Sequence, residues 1–357
     1  MRTFLLPRFG IALGLCWGLS GSGAQAQPEP PAPDVPEAPL AIAVADQGAP
    51  IALASKLPLG FAYETSVTTD ARRKVQVGAS VTPLYERTVI ITRSRVTDVA
   101  ADGTSTVENE FRAVMLREES SGALLLNYDS SQPPTAKAIA PADQQARVMS
   151  RVYAPLIGKK YQVRVAPDGS VLEVTGVTEI TDAVMNAVAQ EGVPDAQIAT
   201  IRRDFERSFG GDRLREHFYS VAELPPLAPV KVNEPWTRRF LSGDADLPLV
   251  VRSTGSVAQH TGDEVVIYER GDLALDESAT DLKKSRSPID VDFSGTHRGG
   301  TRLDLAQNRR TSRLLQQYRV AFTYNVPAAP DETKPSTQHV VVQGTTYYLI
   351  EVHPVTA

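Results

Sequence analysis

The sequence predicts a mainly β protein of the α+β class: a curved antiparallel sheet or half-barrel meander, with a central helical insert packed on one face. Three observations predict it. Apolar residues recur with a period of two through most of the chain after residue 51. Glycine beside aspartate or another polar residue punctuates these runs. One central region alone switches to helical spacing. Period two places successive side chains on opposite faces, and one greasy face with one wetter face is the pattern of antiparallel sheets.

The chain opens with Arg2 and Arg8, an apolar run from Phe9 to Leu19, and Ala24-Gln25-Ala26. That is the layout of a secretory signal peptide over residues 1–26. The run is shorter than the roughly 20 apolar residues that cross a bilayer as a helix. Export to the periplasm is expected, with lipid anchoring through Cys16 or secretion as the alternatives. Residues 27–50 carry Pro28, Pro30, Pro31, Pro33, Pro36 and Pro39 among Glu29, Asp34 and Glu37. Such a segment buries too little apolar surface to fold and reads as a disordered tether.

Residues 51–357 read as a single β-rich domain: strands over 51–177, a helical insert over 178–222, and strands over 230–357. In the first part Phe61, Tyr63, Thr65 and Val67 alternate with polar neighbours, and so do Val107, Asn109, Phe111, Ala113 and Met115. Asp102-Gly103 and Asp168-Gly169 supply hairpin turns. Ile180, Val184 and Val188 then define a helix, and Ile198, Ile201, Phe205 and Phe209 a second one after Pro194-Asp195. Shorter helices are expected over residues 142–154 and around Leu214 and Phe218. In the last part the longest alternating set is Leu314, Gln316, Tyr318, Val320, Phe322 and Tyr324. Turns are expected at Arg298-Gly299-Gly300 and Gln343-Gly344-Thr345, and a polar loop at 276–287.

Composition excludes several chemistries. Cys16 is the only cysteine and lies in the leader, so the mature chain has no thiol nucleophile, thiolate metal site or internal disulfide. The formal charge of −5 with interspersed signs gives no footprint for nucleic acid and no basic face for anionic lipid. No stretch after the leader spans a membrane as a helix. His217, His260, His297, His339 and His353 have no metal-binding spacing, and no Gly-x-Ser-x-Gly elbow or phosphate loop is present. Asp290 and Asp292 share a strand face, which reads as a solvated face. Asp272, Asp276, Glu277 and Asp281 form an acidic edge balanced by Lys283, Lys284 and Arg286. No catalytic residue, metal or cofactor is expected.

Gly158-Lys159-Lys160-Tyr161-Gln162-Val163-Arg164-Val165, Asp168-Gly169, Val174-Thr175-Gly176 and Val230-Lys231-Val232-Asn233-Glu234-Pro235-Trp236 together carry a resemblance. They resemble an uncharacterised, domain-of-unknown-function family of exported bacterial envelope proteins and lipoproteins. Asn233 stands where that pattern has Gly, and Asn tolerates the left-handed backbone. The resemblance implies no activity, cofactor or catalytic residue. The shape is similar, more loosely, to periplasmic lipoprotein-carrier half-barrels. Tyr63, Phe111, Tyr161, Trp236, Tyr318, Phe322 and Tyr324 can face one side of a curved sheet and are the candidate lining of an apolar cavity. The expected function is a non-enzymatic exported envelope protein that binds a lipid, acyl chain or lipid-modified client on the concave face. The alternatives are a scaffold for another envelope protein and an unrecognised hydrolase.

Overall fold

The computed structural model describes residues 48–53, 58–132, 150–167, 169–190, 195–212, 214–215, 228–243, 248–275, 290–326 and 336–355. The leader, nearly all of the tether and the polar loop at 276–287 lie outside them. Most of the 142–154 helix and Phe218 do too; residues 150–153 and the described residues of 211–215 are helical.

Six strands come first: β1 (Ala62–Val77), β2 (Ser80–Val99), β3 (Ser105–Ser120), β4 (Ala123–Asp129), β5 (Lys160–Val165) and β6 (Val171–Thr175). A short 3₁₀ turn, Ala154–Leu156, precedes β5. Helices α1 (Val177–Gln190) and α2 (Asp195–Phe209) follow. Six more strands close the chain: β7 (Trp236–Gly243), β8 (Pro248–Thr261), β9 (Glu264–Leu275), β10 (Asp290–Asp304), β11 (Arg309–Val326) and β12 (Ser336–Pro354). All twelve strands join one sheet, in the order β6-β5-β3-β2-β1-β12-β11-β10-β9-β8-β7, with β4 on the remaining length of β3. Every pairing is antiparallel. β1 and β12, the first and last strands, lie side by side at the sheet's centre. The sheet is open, with β6 and β7 as its two edges.

The two halves of the sheet bury their apolar faces differently. Over β1–β6 the helices supply the cover. Val177, Ile180, Val184, Met185 and Val188 form the buried stripe of α1, and Ile201, Phe205 and Phe209 that of α2. They pack on Tyr63, Val107, Phe111, Leu126, Tyr161 and Val163 in one cluster. Phe209 sits at its centre, 5.8 Å from the rings of both Phe111 and Tyr153 and 5.1 Å from Phe205. Burying each such side chain contributes roughly 1.5–3 kcal/mol.

Over β7–β12 no helix among the described residues takes part, and the sheet covers itself by rolling. β7 stands four strands from β11, about 19 Å away if the sheet were flat. Yet Ser242 on β7 donates to Gln316 Oε1 on β11 at 2.9 Å and stands 3.4 Å from the hydroxyl of Tyr348 on β12. Phe240 shares a core cluster with Tyr318, Val320, Val342 and Val75. A second cluster fills the other end of the roll, with Ile51, Leu53 and Val230 packed on Val257, Val265, Ile267 and Leu303.

Several expectations hold at the residue level. Asp102-Gly103 is a hairpin turn with Gly103 at φ 86, and Asn233 takes the left-handed backbone at φ 63. Three others are corrected. Arg298-Gly299-Gly300 is not a turn: β10 runs straight through it to Asp304, and the chain reverses at residues 305–308, where Asn308 has φ 50. Gln343-Gly344-Thr345 is not a turn either, since β12 is continuous. Both Gly299 and Gly344 are there for close approach. A Cβ at 344 would overlap the Tyr318 ring, and one at 299 the Leu314 side chain. The third correction concerns β3. Phe111 pairs with Thr92 but Ala113 with Ile91, so Arg112 is an extra residue in a bulge. The bulge flips the phase, and Val114 and Leu116 rather than Ala113 and Met115 continue the inward set of Phe111.

Candidate functional site

The seven predicted cavity residues do not share one lining. Tyr63, Phe111 and Tyr161 lie in the helix-covered core, Trp236 borders the cluster around Val257 and Ile267, and Tyr318 and Phe322 belong to the core of the rolled half. Tyr324 is on β11, with its side chain outside the described part. Burial pushes the Tyr63 hydroxyl up to about 12, against a smaller opposing effect from Ser94, and pushes Tyr161 higher still. Both are therefore neutral phenols inside a packed core. Tyr318 accepts from Arg73 Nε at 3.2 Å.

What sequence reasoning missed lies at the waist of the roll. On β9 the inward set is Val265, Ile267, Glu269, Gly271 and Leu273, so register alone sends a carboxylate into the interior. Glu269 is 6% exposed. Arg238 reaches it from β7, donating Nε to Oε2 at 2.9 Å with Nη2 on the same oxygen. Ser253 on β8 lies between them: its hydroxyl accepts from Arg238 Nε at 3.3 Å and donates to Glu269 at 3.4 Å. From β10 comes His297, buried to 2% exposure, whose Nε2 stands 3.5 Å from Glu269 Oε1. That separation suits an ion pair but is too long for a good hydrogen bond. Neither ring nitrogen has a hydrogen-bond partner. The Phe240 ring meets His297 edge-on at 5.7 Å and lies 4.6 Å from the Arg238 guanidinium carbon, which it helps to shield.

Burial alone would raise the Glu269 carboxyl. The facing imidazole of His297 and the charge of Arg238 outweigh it and hold the carboxyl at about 2. Glu269 is thus an anion at every physiological pH, locked by an arginine. A general acid or base at neutral pH needs a group poised near the working pH, and this carboxylate is far from it. Beside it Arg310 Nε donates to Ser312, which also accepts from Thr301 at 2.8 Å. These groups border a cavity of about 30 Å³, shared with Trp236 and Leu314. That is room for one or two water molecules.

The other polar candidates separate. Asp292 is exposed and pairs with Arg319 at 2.9 Å; the side chain of Asp290 lies outside the described part. His260, His339 and His353 are exposed on β8 and β12, and His217 lies outside the described residues. Among the described residues no group of three acidic, histidine or cysteine side chains could hold a metal ion, and no helix is long and apolar enough to cross a membrane.

The model of a family of unknown function, DUF6263, matches residues 102–308, more than half of the chain. No curated protein matches significantly. Among solved structures the chain is similar to lipovitellin, at 10% identity and a TM-score of 0.38. That likeness covers 84% of this chain and 26% of the other, so the chain spans about a quarter of lipovitellin's length. It is also similar to an outer membrane channel from Pseudomonas putida F1, at 8% identity and a TM-score of 0.26, over 88% and 100% of the two chains. A third is OccK7 (OpdD) of Pseudomonas aeruginosa, at 5% identity and 0.20, over 83% and 100%. Likenesses this remote carry no argument about function.

Proposed function

The chain belongs to DUF6263, a family of unknown function, and from that premise we propose that it is an exported, non-enzymatic envelope protein that serves as a rigid binding scaffold. The observation that carries this reading is the inward roll of β7–β12, which brings β7 side chains onto β11 and β12. Several of its inward polar groups are spent on one another, in the Arg238–Glu269–Ser253 and Ser242–Gln316 contacts, and side chains pack both ends. The space at the waist suits water and not an acyl chain. Partners then engage the outer surface. Export rests on the leader sequence, and a mature chain without cysteine suits any compartment outside the cytoplasm.

The test is crosslinking in intact cells from photoreactive residues placed at Thr254 and Thr296, both exposed on the outer face of β8 and β10. A discrete envelope component recovered from these positions is the expected result. Repeated recovery of none, or a protein confined to the cytoplasm, overturns the proposal.

A further inference from the structure

The outer face of the roll concentrates like charge. On β2 and β3 Arg87 also faces Arg117, but Asp70 stands 3.9 Å from the one and Glu119 2.6 Å from the other. Charged side chains on neighbouring strands mostly find opposite partners: Lys160 with Glu108 at 2.8 Å, Arg164 with Glu173 at 3.1 Å, Arg73 with Glu86 at 3.3 Å and Arg319 with Asp292 at 2.9 Å. On β7–β11 two such like pairs occur side by side. Arg239 stands directly opposite Arg252, and Arg270 directly opposite Arg298. Like charges in direct cross-strand register are destabilising, and arginine cannot shed its proton.

Register places these four on one diagonal with Arg313. Arg252 is two residues along β8 from Thr254, the partner of Arg270; Arg298 is two residues along β10 from Gly300, the partner of Arg313. Both steps go the same way. Five exposed arginines thus form a stripe about 19 Å across the strands and about 13 Å along them. Arg239, Arg252, Arg270 and Arg313 form no ion pair among the described residues, and Asp272, opposite Arg252, is the one acid among them in register. The net charge of −5 conceals this local excess, which corrects the expectation that no basic face exists.

Curvature selects the shape of the partner. Because β7 rolls over to meet β11 and β12, outward side chains on β7–β11 point in diverging directions. A plane such as a membrane surface touches only part of the stripe, whereas a flexible chain can follow it. Tyr268 lies in register with Gly300 and Arg313, so a ring flanks the stripe beside a position without a side chain. Such a ring offers a packing face for a sugar. Guanidinium forks match carboxylates in bidentate geometry. We infer that the arginine stripe binds an acidic polysaccharide chain, its carboxylates paired with Arg239, Arg252, Arg270 and Arg313. This rests on the scaffold reading and names the partner's class.

The experiment titrates the full mature chain with labelled polyuronate (alginate) oligomers. A single-stranded DNA oligomer of equal charge, vesicles of anionic phospholipid and neutral dextran are the comparison probes. Polyuronate is expected to bind most tightly, weakening on the order of fiftyfold between 50 and 200 mM salt if about four charges pair. Arg252→Gln with Arg270→Gln should weaken it at least tenfold. Lys160→Gln with Arg164→Gln, which removes as much charge elsewhere, should leave it unchanged. The inference is overturned by absent polyuronate binding, by equal loss in both double variants, or by tighter binding of DNA or vesicles. Should polyuronate fail while crosslinks from Thr254 persist, the scaffold reading stands and the polysaccharide does not.

Discussion

Adding one methyl group to Gly344 tests the packing of the rolled half at its tightest point. A Cβ at this position would stand 2.6 Å from Cε1 of Tyr318 and closer still to Cζ. Ordinary carbon contacts need about 3.5–4.0 Å, so the ring must retreat by about 1.5 Å. It has nowhere to go. Phe293 stacks against it at 6.4 Å, Arg73 holds its hydroxyl, and the residue is 7% exposed. Overpacking of this kind costs about 1–3 kcal/mol, and loss of the Arg73 hydrogen bond adds about 1 kcal/mol. Gly344→Ala should therefore destabilise the protein by about 3 kcal/mol in urea unfolding. Tyr318→Leu removes the obstructing atoms, so in that background Gly344→Ala should cost less than about 1 kcal/mol. Equal costs in both backgrounds, within about 0.5 kcal/mol, would refute the reasoning, because the ring would then not be what the glycine accommodates.

Three further predictions concern other parts of the molecule. Glu269→Gln removes the buried anion that the partly exposed Arg238 pairs with and should cost about 3 kcal/mol at pH 7, read by chemical denaturation; a loss below 1 kcal/mol would contradict a locked pair. Because the folded Glu269 carboxyl is depressed to about 2 from an ordinary 4.5, its contribution is present above pH 4.5 and is lost as pH falls toward 2. The stability gap between wild type and Glu269→Gln should therefore shrink by about 3 kcal/mol over that window, and a pH-independent gap would count against the pairing. Phe209→Ala empties the centre of the helix-covered core and should cost about 3–5 kcal/mol, with calorimetry the check. Finally, N-terminal sequencing of protein recovered from its natural host should begin at Gln27; an intact Met1, or a lipid on Cys16, would displace the cleavable leader.

Much of the fold was legible because it rests on local rules. Alternation in Leu314 to Phe322 identified β11 and its inward face, and the stripes of Ile180, Val184, Val188 and of Ile201, Phe205, Phe209 identified both helices. Asp102-Gly103 was readable because a tight reversal needs positive φ. Gly299 and Gly344 misled for the converse reason. A glycine that makes room for Leu314 or Tyr318 looks, along the chain, like one that permits a turn. The bulge at Arg112 has no local signature and inverts the inward set of β3. His297 has no metal spacing, and nothing along the chain signals its burial against Glu269. The better signal was Glu269, a carboxylate in phase with Val265, Ile267 and Leu273. The arginine stripe could not be read before the register was known, since its members come from five strands and only pairing aligns them.

The scaffold proposal requires an interior filled by its own side chains and partners that meet the outer face. Native mass spectrometry of the protein purified from its own envelope tests this most directly. The expected result is the mass of the bare mature chain with no lipid adduct. A stoichiometric lipid or acyl chain retained on the protein would contradict it and restore the reading of an internal carrier.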